Sequence, residues 1–137
     1  MLRSGDSVVA AIRKRIARFS GYPEARLEPL QVVRYEQGQK YDAHHDVAEL
    51  NTNSGKELAA EGGMRAATAL LYLSDVEEGG QTNFPRAGGL PAPSNTRECH
   101  QGLLVEARRG KVIVFFNMLP SGELDHMSLH AGCSVKK

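Results

Sequence analysis

The chain has 137 residues, a formal net charge of +1 and a hydrophobic content of 41%, so it is long enough for one domain with a core and too apolar for a disordered tail. Interspersed charges of both signs give no reason to expect contact with nucleic acid or a membrane. No apolar run approaches the length of a membrane span, and the N-terminus lacks the apolar segment of a signal peptide. Either the protein is cytosolic or the chain is a piece of a longer, targeted precursor.

A helix is predicted near the N-terminus, because apolar residues recur at helical spacing after a capping residue, Asp6 or Ser7. The apolar positions are Val8, Val9, Ile12, Ile16 and Phe19. The segment Gly21-Tyr22-Pro23 is expected to end this helix.

From residue 30 onward, apolar and β-branched runs separated by turn residues predict strands. They cover Leu30–Tyr35, Lys40–Asp46, Arg65–Leu73, Gln81–Phe84, Leu103–Ala107, Lys111–Asn117 and Ser128–Val135. The clearest pair is a hairpin in which Leu103–Ala107 turns into the buried strand Lys111–Asn117. One helix followed by six or seven strands predicts a sandwich or barrel packed on a helix.

Two longer connections interrupt the strands. Val47–Gly63 is polar, with a short helix expected around Glu57–Glu61, and Pro85–His100 is rich in proline, glycine and serine. Both are candidate lids over an extended substrate, because binding loops often lie between the strands of a rigid scaffold. Plain variable loops are the alternative interpretation.

A metal site is predicted from three side chains. His44 and Asp46 are two residues apart on a predicted strand, so they share one face and His45 points away. The distant His130 is the third candidate ligand. Two imidazoles and one carboxylate can occupy one face of an octahedral ferrous ion and leave positions for a co-substrate and dioxygen. A zinc site with the same ligands and an exposed polar strand end are the alternatives, and the remaining histidines are interpreted as surface residues: His45, His100 and His126.

The sequence has two cysteines, Cys99 and Cys133, which do not form a Cys-x-x-Cys motif and are too few for a closed zinc site. They form either a single disulfide, which implies an oxidising compartment, or two free and partly buried thiols.

Three ordered segments resemble plant and algal prolyl 4-hydroxylases, a family of Fe(II) and 2-oxoglutarate-dependent dioxygenases. They are the stretch from Gln31 to Asp46, the stretch from Leu71 to Pro85 and the stretch from Leu124 to Val135. The resemblance implies a mainly β fold with an N-terminal helix and a double-stranded β-helix (jelly-roll) core, formed by a single domain over residues 1–137. It also implies that the iron ligands are His44, Asp46 and His130.

The same resemblance implies hydroxylation of peptidyl proline to 4-hydroxyproline with Fe(II), 2-oxoglutarate and O2, ascorbate as reductant, and no catalytic residue beyond the metal site. Residues implied to line the 2-oxoglutarate pocket are Tyr35, Tyr72 and Thr82. Residues implied near the peptide groove are Glu28, Gln31, Tyr41 and Arg65. The alternative for Tyr35 and Tyr72 is that they are ordinary strand aromatics in the core. The alternative for the four groove residues is that they are surface polar residues. The implied partner is a proline-rich polypeptide, and the implied location is the endoplasmic reticulum–Golgi system.

The chain departs from the family at its C-terminal end. A family lysine that pairs with 2-oxoglutarate is expected about ten residues after His130, beyond Lys137, so the resemblance implies a jelly roll that is incomplete at its C-terminus. Lys136 and Lys137 lie too close to His130 to take that role by alignment. Two alternative functions therefore remain: a truncated, inactive jelly-roll fragment or peptide-binding module, and a related 2-oxoglutarate oxygenase with another substrate.

Overall fold

The computed structural model describes residues 5–48, 52–60 and 63–137. The chain divides into two compact units, Met1–Arg34 and Tyr35–Lys137. In the described residues, the first unit is helical and the second contains six β-strands, one α-helix and a short 3-10 helix, His126–Ser128. No described helix combines the length and the apolar character needed to span a membrane.

The helix of the first unit, α1, spans Ser7–Ser20. It begins where predicted, because the Asp6 carboxylate accepts hydrogen bonds from the backbone N–H groups of Val8 (2.8 Å) and Val9 (3.2 Å), which have no partner within the helix. It ends at Gly21, whose φ of 79° is the left-handed conformation that glycine adopts without strain.

A short 3-10 helix, Glu24–Arg26, follows α1. The guanidinium group of Arg13 joins the two by donating hydrogen bonds of 2.7–3.0 Å to three backbone carbonyl groups. These belong to Glu24, Leu27 and Glu28. The arginine therefore adds side-chain donors to backbone carbonyl groups of the short helix and of the segment that follows it.

The second unit contains α2, Asn53–Ala60, and six short strands. The strands are β1 Tyr41–His44, β2 Ala67–Leu71, β3 Thr82–Phe84, β4 Leu103–Val105, β5 Val112–Phe116 and β6 His130–Gly132. Each lies within a predicted strand, but the strand predicted over Leu30–Tyr35 does not form. A strand is stable only where a neighbour completes its backbone hydrogen bonds. The predicted short helix begins earlier than expected, at Asn53, and Glu61 lies outside the described residues.

The strands form two antiparallel sheets, one in the order β1-β6-β3-β4 and one made of β2 and β5. The hairpin predicted between β4 and β5 is therefore wrong, because β4 pairs with β3 and β5 pairs with β2. The turn at Arg108-Arg109-Gly110 carries the chain from one sheet to the other, and Gly110 donates its N–H to the carbonyl of Tyr72 (2.9 Å).

The two sheets contact each other through aromatic side chains. Phe84 of β3 packs edge-on against Phe115 of β5, with ring centroids 5.0 Å apart, and Phe115 lies 4.7 Å from the imidazole of His130. The ends of β5 face solvent, since Val112 is 49% and Phe116 53% exposed. The strand predicted to be buried is thus only half-buried at its centre, and that centre lies beside His130.

The long connection between β3 and β4 is attached to the rest of the second unit. A disulfide joins Cys99 of this loop to Cys133, just after β6, so the disulfide alternative is the one that the structure contains. The carbonyl of Thr96 also accepts a hydrogen bond of 2.9 Å from the backbone N–H of Ala43 in β1. The loop predicted over Pro85–His100 is present without regular structure, and these attachments hold it against the sheet that carries the candidate ligands.

Candidate metal centre

The side chains of His44, Asp46 and His130 converge on one point. Their candidate ligand atoms all lie within 4.8 Å of one another. Asp46 Oδ1 is 3.5 Å from His44 Nε2 and 3.7 Å from His130 Nε2. The two histidines are direct partners in the pairing of β1 with β6, which explains how residues so distant in sequence meet.

Asp46 reaches this point from outside a strand. Strand β1 ends at His44, and Asp46 occupies the bend that follows. The expectation that both residues share one face of a continuous strand is therefore wrong in its local geometry. The irregular register between Tyr41 and His44 and the bend bring both side chains to the same point.

Both imidazole rings are oriented by backbone carbonyl groups. His44 Nδ1 lies 2.8 Å from the carbonyl oxygen of Asp42, and His130 Nδ1 lies 2.9 Å from that of Ser128. A carbonyl oxygen only accepts, so each Nδ1 carries the proton that is donated. When the ring is neutral, each Nε2 is then left with a lone pair directed at the common point, which is how histidine ligands of metals are usually held.

The electrostatics of the centre favour an ionised carboxylate and at least one neutral imidazole. Burial by itself raises the pKa of Asp46, but hydrogen bonds from His44 and Thr68 and the nearby imidazoles lower that pKa to about 2. Burial lowers the pKa of His130 below its ordinary value. Burial is the largest single influence on the pKa of His44 and acts to lower it, but the hydrogen bonds with Asp46 and Asp42 and the charge of Asp46 together outweigh burial, and the net shift is upward.

The donor set fits a divalent transition metal. It consists of two imidazole nitrogens and one carboxylate oxygen, which suit both iron and zinc. Asp46 and His130 are 11% and 8% exposed in their side chains, while His44 is 31% exposed. The centre is therefore closed on the His130 side and more open on the His44 side.

The residues predicted for the 2-oxoglutarate pocket gather near β6. The Tyr72 hydroxyl donates a hydrogen bond of 2.6 Å to Thr82 Oγ1, and burial raises the pKa of Tyr72, so this phenol stays protonated. Thr82 is buried and pairs with Gly132. A methyl group at Gly132 would lie 3.8 Å from the Tyr35 hydroxyl. The structure thus places all three near one another, and their role toward a co-substrate stays a prediction.

Two of the four residues predicted for the peptide groove lie near the metal centre. The exposed ring of Tyr41 packs edge-on against His44, with centroids 4.2 Å apart, and the positive charge of exposed Arg65 acts to lower the pKa of His44. Tyr41 also lines a cavity of about 490 Å³ beside the disulfide. Glu28 and Gln31 belong to the first unit, and their assignment stays a prediction.

Sequence reasoning missed two residues that support Asp46. Thr68 donates a hydrogen bond of 2.5 Å to Asp46 Oδ2 and accepts one of 2.8 Å from the side-chain amide of Asn117. The available signals were weak: a threonine in a strand of alanine and leucine, and an asparagine directly after an apolar run. The surface interpretation was wrong for His45, which is half-buried with its Nε2 enclosed and its ring 5.9 Å from that of His126.

Comparison with known proteins identifies the family. The model of the 2OG-Fe(II) oxygenase superfamily matches residues 30–137. Among solved structures, a viral collagen prolyl hydroxylase from Paramecium bursaria Chlorella virus-1, crystallised as a 2OG complex, superposes with a TM-score of 0.67 over 100% of this chain and 70% of that one, at 23% identity. This similarity confirms the jelly-roll oxygenase fold.

Curated relatives from Arabidopsis thaliana are more similar in sequence. "Probable prolyl 4-hydroxylase 3" is 44% identical, and the match covers 97% of this chain and 46% of the relative. "Prolyl 4-hydroxylase 5" is 42% identical, with coverage of 98% and 46%. The chain thus spans about half the length of the curated relatives that it matches. With a family model matching most of its length and the predicted triad assembled between its strands, the chain belongs to the 2-oxoglutarate and Fe(II)-dependent oxygenase superfamily.

Proposed function

We propose that this chain supplies the catalytic centre of a peptidyl-proline 4-hydroxylase that uses Fe(II), 2-oxoglutarate and O2. The observation that carries the proposal is the convergence of His44, Asp46 and His130, with both Nδ1 protons donated to carbonyl oxygens. This is the donor set of non-haem Fe(II) oxygenases. The choice of proline as substrate is supported by the Arabidopsis relatives, which carry the name prolyl 4-hydroxylase.

Bound iron and 2-oxoglutarate would supply the activation of dioxygen, and the residues of the chain hold and shield them. Phe84 and Phe115 cover the buried side of His130 and exclude water. Because Thr82 Oγ1 accepts a hydrogen bond from the Tyr72 hydroxyl, the hydroxyl proton of Thr82 is left to donate to a carboxylate of the co-substrate. The exposed ring of Tyr41 offers a proline ring an apolar surface beside His44.

We extend the proposal to a proline-rich polypeptide as partner, ascorbate as reductant and the endoplasmic reticulum–Golgi system as location. The disulfide between Cys99 and Cys133 supports an oxidising compartment, because glutathione and thioredoxin keep cysteines reduced in the cytosol.

The test is turnover of the chain with Fe(II), ascorbate, 2-oxoglutarate and a proline-rich peptide. We expect succinate formation that depends on the peptide, and mass spectrometry of the peptide should show one added oxygen atom on proline. Asp46→Ala should abolish both signals. Asp42→Asn is the matched control, because this exposed acidic side chain lies two residues before His44 and contacts Lys40 and Arg97 instead. Succinate without hydroxylated proline would contradict the proline assignment, and absence of both products would contradict the enzymatic function.

A non-catalytic peptide-binding module is the second candidate, favoured by the positions of the last two lysines. Lys136 pairs with Glu78 at 3.1 Å and Lys137 pairs with Glu77 at 3.0 Å, and these side chains are 62–76% exposed. Both lysines therefore direct their charges to surface carboxylates, and neither supplies the positive charge that a 2-oxoglutarate carboxylate would need in the pocket. Calorimetry with Mn(II) and 2-oxoglutarate separates the candidates, since the enzyme is expected to bind both and the module only the peptide.

A further inference from the structure

A directed chain of hydrogen bonds ends on the carboxylate of the metal centre. The side-chain amide of Asn117, just after β5, donates to Thr68 Oγ1 at 2.8 Å, and the Thr68 hydroxyl on β2 donates to Asp46 Oδ2 at 2.5 Å. Both residues are contributed by the sheet that holds neither histidine. These hydrogen bonds therefore connect the two-stranded sheet to Asp46, the candidate ligand that comes just after β1 of the four-stranded sheet.

The direction of these hydrogen bonds follows from the chemistry of the three side chains. An ionised carboxylate accepts and does not donate, so the single hydroxyl proton of Thr68 points to Asp46. Thr68 Oγ1 must then be the acceptor from Asn117, whose nitrogen also donates to the carbonyl of Arg65 at 3.0 Å. This arrangement assigns the amide nitrogen, and not the oxygen, to the side of Thr68.

Asn117 is itself held firmly. It is fully buried, its backbone N–H donates to the carbonyl of Ala66 at 2.9 Å, and its backbone carbonyl accepts from the N–H of Asp125 at 2.9 Å. Among the described residues, Asn117 Oδ1 is buried with no hydrogen-bond partner. An unsatisfied buried oxygen is unfavourable. Its presence therefore indicates that the amide is retained for the two hydrogen bonds that its nitrogen donates, to the carbonyl of Arg65 and to Thr68.

The two oxygens of Asp46 consequently differ. Oδ2 is occupied by Thr68, while Oδ1 faces the imidazoles of His44 and His130 at 3.5 and 3.7 Å. We propose that Thr68, held by Asn117, is a positioning residue that restricts the metal-binding carboxylate to a single oxygen. The inference rests on the proposed function, because it requires a metal at this centre. It adds the reason why Asp46, placed in a bend and not on a strand, presents a defined atom.

The test uses Co(II) alone, in the absence of 2-oxoglutarate and peptide, so its readout does not depend on activity. Thr68→Val keeps the shape of the side chain and removes the hydroxyl. We expect its Co(II) affinity to fall by about tenfold or more, within the range found for groups that orient metal ligands. We also expect its visible absorption spectrum to change, because both carboxylate oxygens become free to coordinate.

Three further variants separate positioning from a general loss of structure. Thr68→Ser retains the hydroxyl and should restore the spectrum of the unsubstituted chain, whereas Ser121→Ala, which removes an exposed hydroxyl bonded to Glu123, should leave affinity and spectrum unchanged. Asn117→Ala keeps the Thr68 hydroxyl but leaves it free to rotate, so the same spectral change should appear with a smaller loss of affinity. This variant carries the test if Thr68→Val does not fold.

The two ways of failing are distinguishable. If the unsubstituted chain binds Co(II) and the Thr68→Val and Asn117→Ala variants match it within about twofold in affinity and in spectrum, the positioning role is overturned and the metal centre stands. If the unsubstituted chain binds no Co(II), both the proposed metal centre and the positioning role are overturned.

Discussion

The two sides of the metal centre each contribute one imidazole, but their surroundings differ. His130 is 8% exposed and packs against the rings of Phe84 and Phe115, on a strand that leads directly to the disulfide. His44 is 31% exposed and lies at the end of a strand beside Tyr41. The difference suggests a division of tasks, in which the buried side maintains the structure and the open side admits the ligands and responds to pH.

The largest expected effect is on the buried side, through the disulfide. Replacing both Cys99 and Cys133 by serine releases a loop closed over a sequence separation of 34 residues. The free energy of unfolding should fall by about 4 kcal/mol, because the unfolded chain gains the freedom that the link removed. Denaturant unfolding measures the change. The unsubstituted chain under reducing conditions should show the same loss, and a difference below about 1 kcal/mol would contradict the expectation.

A comparison of two ligand variants tests the division directly. His130→Ala and His44→Ala should each weaken metal binding by more than about a hundredfold, because a ligand contributes more than the groups that orient it. Only His130→Ala should also lower the unfolding free energy of the metal-free chain, by about 2–3 kcal/mol, since it leaves a cavity beside the rings of Phe84 and Phe115. Equal losses of stability in the two variants would refute the division.

The pH dependence of metal affinity sharpens the same comparison. The pKa of His44 is raised and that of His130 is lowered, so on acidification His44 takes up a proton first. Because a protonated imidazole cannot ligate, affinity should be constant above the pKa of His44 and decline by up to about tenfold per pH unit below it. Asp46, with a pKa of about 2, stays ionised through this range. Titration with Mn(II) between neutral and mildly acidic pH measures the decline, and a flat profile would argue against this role of His44.

The smallest expected effect concerns the co-substrate. Tyr72→Phe removes the hydrogen bond to Thr82 and leaves the ring in place. The affinity for 2-oxoglutarate should fall by a factor of about two to ten, which corresponds to about 0.5–1.5 kcal/mol for one hydrogen bond. Calorimetry in the presence of Mn(II) measures it. Metal affinity without 2-oxoglutarate serves as the control and should not change.

Local sequence patterns predicted most of the individual elements. The cap at Asp6 and the glycine at position 21 bound α1 as expected, because capping depends on a few adjacent residues. The six strands fall within predicted runs, because strand propensity and turn residues act over short distances. The pairing of β4 and β5 was predicted wrongly, since a short turn between two apolar runs does not determine whether they pair with each other or with strands from elsewhere.

By itself, the sequence determined the family and the identity of the three candidate ligands, because motifs around His44, Asp46 and His130 are recognisable without a fold. The tertiary structure alone decided how these side chains meet, through the pairing of β1 with β6 and a bend that places Asp46 beyond its strand. It also decided that the cysteines are linked and that Thr68 and Asn117 support the carboxylate. Contacts of this kind join residues tens of positions apart, and they form only when long-range packing brings two sheets together.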